Sequence, residues 1–231
     1  MSERVTTVVF ECWVRNFARL VAENREHLTE LDAAIGDADH GSNMDRGMKA
    51  AVAALDETPP PNAAALLTKV GMTLVSTVGG ASGPLFGTMF IRMGGSLAAA
   101  GDTLSAGDVA AALRAGLGGV VDRGKPAPGD KTMYDALAPA VDALERSLAD
   151  DGSLATGLTA ARYAARAGRD ATTPMLARKG RASYLGERSI RHMDPGAASV
   201  ALLIEAAADA AADAAAEAAA DSAAEAADAT P

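Results

Sequence analysis

Apolar residues recur at the spacing of an α-helix in one segment of this chain after another, and glycines or prolines separate the segments. The first segment, Val8 to Glu30, predicts one long amphipathic helix that ends near Ile35, because Gly36 is a natural helix stop. Alanine supplies much of the apolar fraction of 49%, whereas aromatic residues amount to only 3%. Such a composition favours closely packed helices over sheets.

Seven further helices are predicted from the same periodicity and from local start signals. Ser42 begins an S-x-x-D helix start, Asn62 is placed to cap the following run, and Pro84 suits a first helical turn. The predicted spans are residues 42–55, 63–78, 84–99, 106–121, 131–148 and 153–169, with a last helix after Pro195 and Gly196. With no convincing strand and mostly short loops, the pattern predicts an all-α fold, an eight-helix antiparallel bundle.

The composition changes at Glu205. From there to Pro231 the chain has seven acids and no base, and alanine fills most other positions. We therefore divide the chain into a domain, 1–204, and an acidic, alanine-rich extension, 205–231. Alanine favours a helix, but acids repeated every four residues oppose it. The two interpretations are a fraying extension of the last helix and a docking tail.

Without the extension the chain is close to neutral, although its formal net charge is −9. Residues 1–204 have no stripe of basic residues and few aromatic residues, so we do not expect this domain to bind nucleic acid. The single cysteine, Cys12, excludes an internal disulfide and fits a reducing compartment. The first residues lack the apolar core of a signal peptide, and no run of 18 apolar residues occurs. We expect a soluble, cytoplasmic protein without a membrane partner, and a homodimer is compatible with the sequence.

Three aspartates lie within eight residues in the stretch LDAAIGDADHG. Asp32 falls in the last turn of a predicted helix, while Asp37 and Asp39 project from the turn after Gly36. Three converging carboxylates suit hard divalent cations, and Mg²⁺ typically completes its shell with water and phosphate oxygens. The alternative is that they cap the next helix and stabilise the turn. An EF-hand is excluded, because its sixth position would be Ser42 instead of glycine.

Two other features indicate phosphate binding. The glycine turn GGASGP, residues 79–84, precedes a helix and is either an anion site or an ordinary turn. Arg181 lies in a long polar stretch, 178–196, whose basic residues either bind phosphate or form a solvated loop. A third stretch, GVVDRGKP, is no P-loop, because Pro126 replaces the required Ser or Thr. His40 follows the aspartates directly and is either a site residue or a hydrogen-bonding group at a helix start.

Together these features describe a nucleotide site. Four blocks, LDAAIGDADHGSNMDRG, GGASGPLFGTMF, GDKTMYDAL and GRASYLGERSIRHMDPGAAS, occur in this order across residues 31–199. In them the chain resembles DhaL, the nucleotide-binding subunit family of dihydroxyacetone kinases. Ala38 departs from the family pattern, where many members have glycine, and the extension after residue 204 lies outside it.

The resemblance implies an eight-helix up-and-down barrel with ADP or ATP bound at one end. It implies two Mg²⁺ ions held by Asp32, Asp37 and Asp39 and bridging the phosphates. The residues implied in nucleotide binding are His40, Gly41, Ser42 and Asn43; Ala81 and Ser82 at phosphate; Gly124 and Met133 beside the base; Arg181 near the phosphates; and Asp194, Pro195 and Gly196 closing the site. No acid or base is implied, and Arg181 would stabilise the transferring phosphoryl group.

The resemblance further implies that this chain is half of an enzyme. A separate DhaK subunit holds dihydroxyacetone covalently, and the nucleotide is either exchanged as ATP or kept as ADP and rephosphorylated by a DhaM phosphocarrier. The alternatives are a kinase subunit of this fold for another small sugar or a fatty acid, and a nucleotide-sensing module that binds a transcriptional regulator.

Overall fold

The computed structural model describes residues 4–101 and 103–228, with side chains through residue 224. Within these ranges the chain forms nine α-helices, one stretch of 3-10 turns (Arg181–Ser189) and no strand, which confirms the all-α prediction. None of the described helices is both long and apolar enough to cross a membrane. The helices are α1 (Thr7–Glu23), α2 (Arg25–Ile35), α3 (His40–Glu57), α4 (Ala63–Thr77), α5 (Ser82–Leu97), α6 (Ala106–Gly124), α7 (Tyr134–Ala149), α8 (Leu154–Ala171) and α9 (Pro195–Asp228).

Eight of these helices form a closed ring in chain order. Each of α1, α3, α4, α5, α6, α7, α8 and α9 packs against the next, and α9 packs against α1. Helix α2 continues from α1 and packs against α3, α9 and the 3-10 stretch. Because short connections make sequential helices antiparallel, alternate connections lie at the same end of the ring. Residues 36–39, 78–81, 125–133 and 172–194 therefore share one end, which we call the site end.

The core fills the ring with large apolar side chains from several helices. Phe17 of α1 stacks on Phe86 of α5, with ring centroids 6.4 Å apart, and both side chains are fully buried. Trp13 is also buried, and its Nε1 donates a 2.8 Å hydrogen bond to the carbonyl oxygen of Leu203. This bond joins α1 to α9 and so closes the ring, because a buried indole N–H needs an acceptor.

The predicted helix boundaries are wrong at two places. The first predicted helix is two helices, because Asn24 leaves helical geometry (φ −102°, ψ 9°) and its side-chain amide donates to the Leu20 carbonyl oxygen at 2.8 Å. An asparagine side chain that competes for a main-chain carbonyl favours such a break. Helix α7 begins at Tyr134 and not at Lys131, because Lys131 adopts a left-handed conformation with φ +62°.

The last helix continues through the boundary at residue 204 without a break. Alanines as far as Ala211 are buried against the ring, whereas residues 212–224 are mostly exposed. Arg166 pairs with Glu205 at 3.0 Å and Arg162 pairs with Asp209 at 3.2 Å. The first acids of the extension therefore join α9 to α8, and the opposite order of the two pairs shows that these helices are antiparallel.

Helices α4 and α5 approach closely enough that glycines are required between them. A Cβ atom on Gly94 would lie 2.4 Å from the Thr68 Oγ1 and 2.6 Å from the Ala64 carbonyl oxygen. Gly95, the next residue, faces open space with no atom within 4 Å of the equivalent position. The close packing of α4 and α5 therefore requires a glycine at position 94 but not at position 95.

We predict opposite effects for the two alanine substitutions. Gly94→Ala should lower the free energy of unfolding by about 1–3 kcal/mol, because it forces α4 and α5 apart. Gly95→Ala should raise it by about 0.5–1 kcal/mol, because alanine is the better helix former. Urea unfolding followed by circular dichroism measures both, and equal effects would contradict the close approach.

Candidate functional site

The four connections at the site end enclose a cleft of about 320 Å³. This volume lies in the range of small-molecule sites. The lining has apolar side chains, which we call the apolar wall, and also carboxylates, glycine turns and basic side chains. The apolar wall consists of Leu85, Phe86, Val120, Pro126 and Met133.

Four helices, α3, α5, α7 and α9, begin at the site end. Each brings the partial positive charge of its first turn towards the same end. The Asp32 side chain occupies the first N–H groups of α3, whereas the N-cap residue of α5, Ala81, makes no side-chain capping hydrogen bond. The turn before α5 is tight, since Gly80 has φ +65° and a Cβ atom on Gly83 would lie 2.2 Å from the Val78 carbonyl oxygen. Uncapped first turns with free N–H groups are ready anion sites.

The three aspartates converge as the sequence predicts. One ligand atom from each of Asp32, Asp37 and Asp39 lies within 4.8 Å of the others. The Asp32 Oδ2 is buried and accepts hydrogen bonds from the N–H groups of Asp39 (2.8 Å) and His40 (3.1 Å). The turn is therefore built around the Asp32 carboxylate, which fixes where the other two carboxylates project.

Gly36 gives the Asp32 carboxylate its space. A Cβ atom on Gly36 would lie 1.9 Å from the Asp32 Oδ1. Ala38 shows the opposite situation, because its φ of +62° suits glycine. A glycine at position 36 thus leaves space for the Asp32 carboxylate, whereas a glycine at position 38 would suit the backbone conformation.

The aspartate cluster has little compensating positive charge. In the part of the chain that the structure describes, Arg181 is the cation paired with it, through a 3.0 Å contact between Arg181 Nη1 and Asp37 Oδ2. The Arg181 side chain is 67% exposed, so this pair contributes little in water. Three oxygen ligands with excess negative charge fit one or two hard divalent cations.

His40 connects three of the helix starts. It is buried at the first position of α3, with Nδ1 3.0 Å from the Ser82 Oγ and Nε2 2.7 Å from the Ser199 Oγ. Ser82 begins α5, and Ser199 is buried in the first turns of α9. Burial lowers the pKa of His40, although Asp32 and Asp39 oppose this shift, and a neutral ring can donate to one serine while accepting from the other.

Asp194 anchors the start of α9. Its Oδ2 accepts a 2.7 Å hydrogen bond from the Ala197 N–H, and its own N–H donates to the Thr172 Oγ1 at 3.0 Å. Burial of the carboxyl raises the pKa of Asp194 to about 7, and the nearby Asp135 and Asp32 add to this effect. The residue therefore holds the 172–194 connection onto the first turn of α9.

Sequence reasoning missed Lys131. We predicted it inside a helix, but it lies before α7, is fully buried and is one of the residues that line the cleft. Burial lowers the pKa of Lys131, and Asp194 opposes this shift. The only sequence signal was its place in the block GDKTMYDAL, to which no role was attached.

Most of the residues predicted for the site line the cleft, and three do not. Gly41 packs against α2, where a Cβ atom would lie 2.1 Å from the Arg25 carbonyl oxygen. The exposed Ser42 Oγ donates to the Asp39 carbonyl oxygen at 3.2 Å, and the Asn43 Oδ1 accepts from Arg46 at 2.6 Å. The predicted residues that line the cleft are Asp32, Asp37, Asp39, His40, Ala81, Ser82, Gly124, Met133, Arg181, Asp194, Pro195 and Gly196.

Comparison with known proteins gives matches over most of the chain. The family model of the DAK2 domain matches residues 34–209. The chain is 45% identical to DhaL, the ADP-binding subunit of the PEP-dependent dihydroxyacetone kinase of Escherichia coli K12, covering 85% of this chain and 93% of that one. It is 36% identical to L-erythrulose 1-kinase of Mycolicibacterium smegmatis over 85% of this chain, but spans 34% of that longer protein.

A solved structure has the same fold. The dihydroxyacetone kinase from C. freundii in complex with AMP-PNP and Mg²⁺ matches with a TM-score of 0.69 and 29% sequence identity. The match covers 90% of this chain and 35% of that one. The chain thus corresponds to about a third of the length of that kinase.

The geometry of the aspartate turn leads to a prediction for Gly36. Gly36→Ala should displace the Asp32 carboxylate and weaken Mn²⁺ binding roughly 10- to 100-fold, the usual effect of disturbing the support of a metal ligand. Titration of the purified protein with Mn²⁺, followed by electron paramagnetic resonance, measures this. The matched control is Ala38→Gly in the same turn, which should leave the affinity within about twofold. Unchanged Mn²⁺ binding by Gly36→Ala would refute the assigned role of that turn.

Proposed function

The chain belongs to the DAK2-domain family of kinase subunits, and from that membership we propose that it is the nucleotide- and Mg²⁺-binding subunit of a dihydroxyacetone kinase. One observation carries the proposal: the three-aspartate cluster and the start of α5, which no N-cap side chain caps, line the same cleft. This arrangement suits a metal–phosphate group better than either feature does alone.

The residues that line the cleft are suited to both ends of a nucleotide. The apolar wall, with Met133 and Gly124, suits a flat base, and the turn before α5, with Ala81 and Ser82, suits the phosphates. The name of the Escherichia coli relative includes ADP binding, and the C. freundii kinase was solved with AMP-PNP and Mg²⁺. Both names support a nucleotide in this cleft.

The metal ligands are Asp32, Asp37 and Asp39 in this proposal. Two bound Mg²⁺ ions would neutralise phosphate charge and fix the geometry of the terminal phosphate. The residues themselves only hold these ions, and none of the three aspartates acts as an acid or a base. The turn at Gly36 sets their positions, because Asp32 is fixed by two main-chain N–H groups.

Arg181 and the start of α5 would act on the transferring phosphoryl group. Arg181 is largely exposed and can leave Asp37 for a phosphate oxygen, to which a guanidinium binds with two parallel hydrogen bonds. His40 fixes the Ser82 hydroxyl, so the first turn of α5 is already in place before the ligand arrives. Catalysis of phosphoryl transfer then consists mainly of positioning and charge stabilisation.

The acceptor in this proposal is dihydroxyacetone held covalently on a DhaK-type partner subunit. The Escherichia coli relative is named as one subunit of a kinase, and the match covers 93% of that subunit. Its name also includes PEP dependence, which supports ADP as a bound cofactor that a DhaM-type phosphocarrier rephosphorylates. Exchange of ADP for ATP is the other mode. The similarity to L-erythrulose 1-kinase makes another small sugar the alternative substrate.

The metal assignment predicts the behaviour of Asp37→Ala. This variant should lose Mg²⁺-dependent ADP binding in calorimetry and at least ~10²-fold of kcat/KM with purified DhaK, because a cation ligand is removed. The control is Asp122→Ala, which removes an exposed carboxylate paired only loosely with Arg92, 3.4 Å away. If Asp37→Ala binds MgADP like the wild type, the metal assignment fails.

The source of the phosphoryl group is tested by nucleotide retention. If ADP is a cofactor that DhaM rephosphorylates, it should copurify with the protein in about a 1:1 ratio and survive desalting, because slow release accompanies tight binding. Quantification of nucleotide after acid precipitation measures the ratio. Complete loss of nucleotide on desalting, together with turnover in ATP alone, would indicate the exchange mode instead.

A further inference from the structure

We propose that Lys131 is a positioning residue whose ammonium group serves as an internal cation and closes the neck of the loop that carries Arg181. The neck consists of residues 172–175 and 189–194, and the loop between them includes the 3-10 stretch. The part of this inference that concerns nucleotide affinity rests on the proposed function, whereas the part that concerns the loop does not.

The Lys131 Nζ lies among main-chain carbonyl oxygens from both sides of the neck. Such a group holds the two sides together, because each side alone would present unpaired carbonyl oxygens in a buried space. The acceptors are the carbonyl oxygens of Thr172 (2.9 Å), Thr173 (3.4 Å), Met175 (3.1 Å), Ser189 (2.8 Å) and His192.

The neck has other hydrogen bonds, but they are single contacts between neutral groups. The Arg191 N–H donates to the Thr173 carbonyl oxygen at 2.8 Å, and the Ala177 N–H donates to the Ser189 Oγ at 2.9 Å. Among the residues that the structure describes, only the Lys131 ammonium group contacts carbonyl oxygens on both sides at once. Hydrogen bonds to a charged donor are about twice as strong as these neutral ones.

Lys131 also connects this neck to the base-binding wall. It directly precedes Thr132 and Met133, which line the cleft, and the Arg178 N–H donates to the Asp130 carbonyl oxygen at 3.0 Å. Lys131 itself has a left-handed conformation, with φ +62°, and lies just before α7 begins at Tyr134. One residue thus fixes the distance between the wall and the Arg181 loop.

The carbonyl oxygens around the Lys131 ammonium group could bind a monovalent cation if the side chain were removed. An ammonium group has three hydrogens and here faces five carbonyl oxygens, which resembles the main-chain cage of a monovalent cation site. Removing the side chain beyond Cβ should leave a cage that K⁺ or NH₄⁺ can enter. The truncated protein should then depend on such an ion, whereas the wild type should not.

The test compares Lys131→Met and Lys131→Ala with Lys125→Met. Lys125 lies in the same connection and also has a left-handed φ of +45°, but its side chain is exposed. We expect amide hydrogen exchange in residues 176–191 to accelerate at least ~10-fold in Lys131→Met, because the neck opens locally. MgADP affinity and kcat/KM should fall by ~10²-fold, since misplacing Arg181 by about 1 Å has an effect of this size. Mn²⁺ binding to the aspartates should change little.

Ion dependence is measured on Lys131→Ala in potassium chloride and in choline chloride. Slower exchange in residues 176–191 and tighter MgADP binding with K⁺ than with choline support the inference, provided Lys125→Met and the wild type show no such difference. If Lys131→Met does not fold, a cooperative melt of Lys131→Ala in K⁺ but not in choline supports it, and no melt in either salt overturns it. Wild-type exchange rates in a folded Lys131→Met protein would also overturn it.

The two proposals fail in different ways. A wild-type protein that binds no MgADP contradicts the proposed function, while the exchange measurements still test Lys131. A wild-type protein that binds MgADP, with a Lys131→Met variant that binds it equally well, contradicts only the role of Lys131.

Discussion

The alternating direction of the helices around a closed ring is the constraint on which the site depends. Because neighbours are antiparallel, α3, α5, α7 and α9 all begin at one end, and α2, α4, α6 and α8 all finish there. Helix starts carry partial positive charge and helix ends partial negative charge, so this end presents both signs side by side. A ligand that combines metal ions with phosphates matches such a surface, whereas a purely anionic or purely cationic ligand would match only half of it.

The aspartate cluster lies at the end of α2, a position that is electrostatically unfavourable for carboxylates. Asp32 lies in the last turn of α2, where the helix dipole disfavours a carboxylate, and Asp37 and Asp39 add like charge nearby. Two main-chain N–H groups of the next turn stabilise Asp32, and Gly36 leaves room for its second oxygen. The cluster is therefore built on a hydrogen-bonded Asp32 but is poorly neutralised, and a divalent cation would stabilise such a cluster most.

The sequence predicted those parts of the structure that depend on local pattern. The helices follow from periodicity, and the aspartate cluster follows from the break at Gly36, because a helix end and a turn are short-range features. The break at Asn24 was missed because one asparagine in an otherwise periodic segment is a weak signal. Lys131 was missed because its backbone conformation and its five acceptors depend on a segment more than forty residues away.

The loop neck and the aspartate cluster differ in how their negative charge is compensated. The carbonyl oxygens at the loop neck are compensated by Lys131, a covalently attached cation that is fully buried. Among the described residues, the aspartates are paired only with Arg181, which is largely exposed and reaches them from the loop. Since a buried lysine does not leave when the ligand does, the neck keeps its shape in either state. Under the proposed function, nucleotide binding requires Arg181 to change partners, whereas the neck of the loop that carries it is already closed.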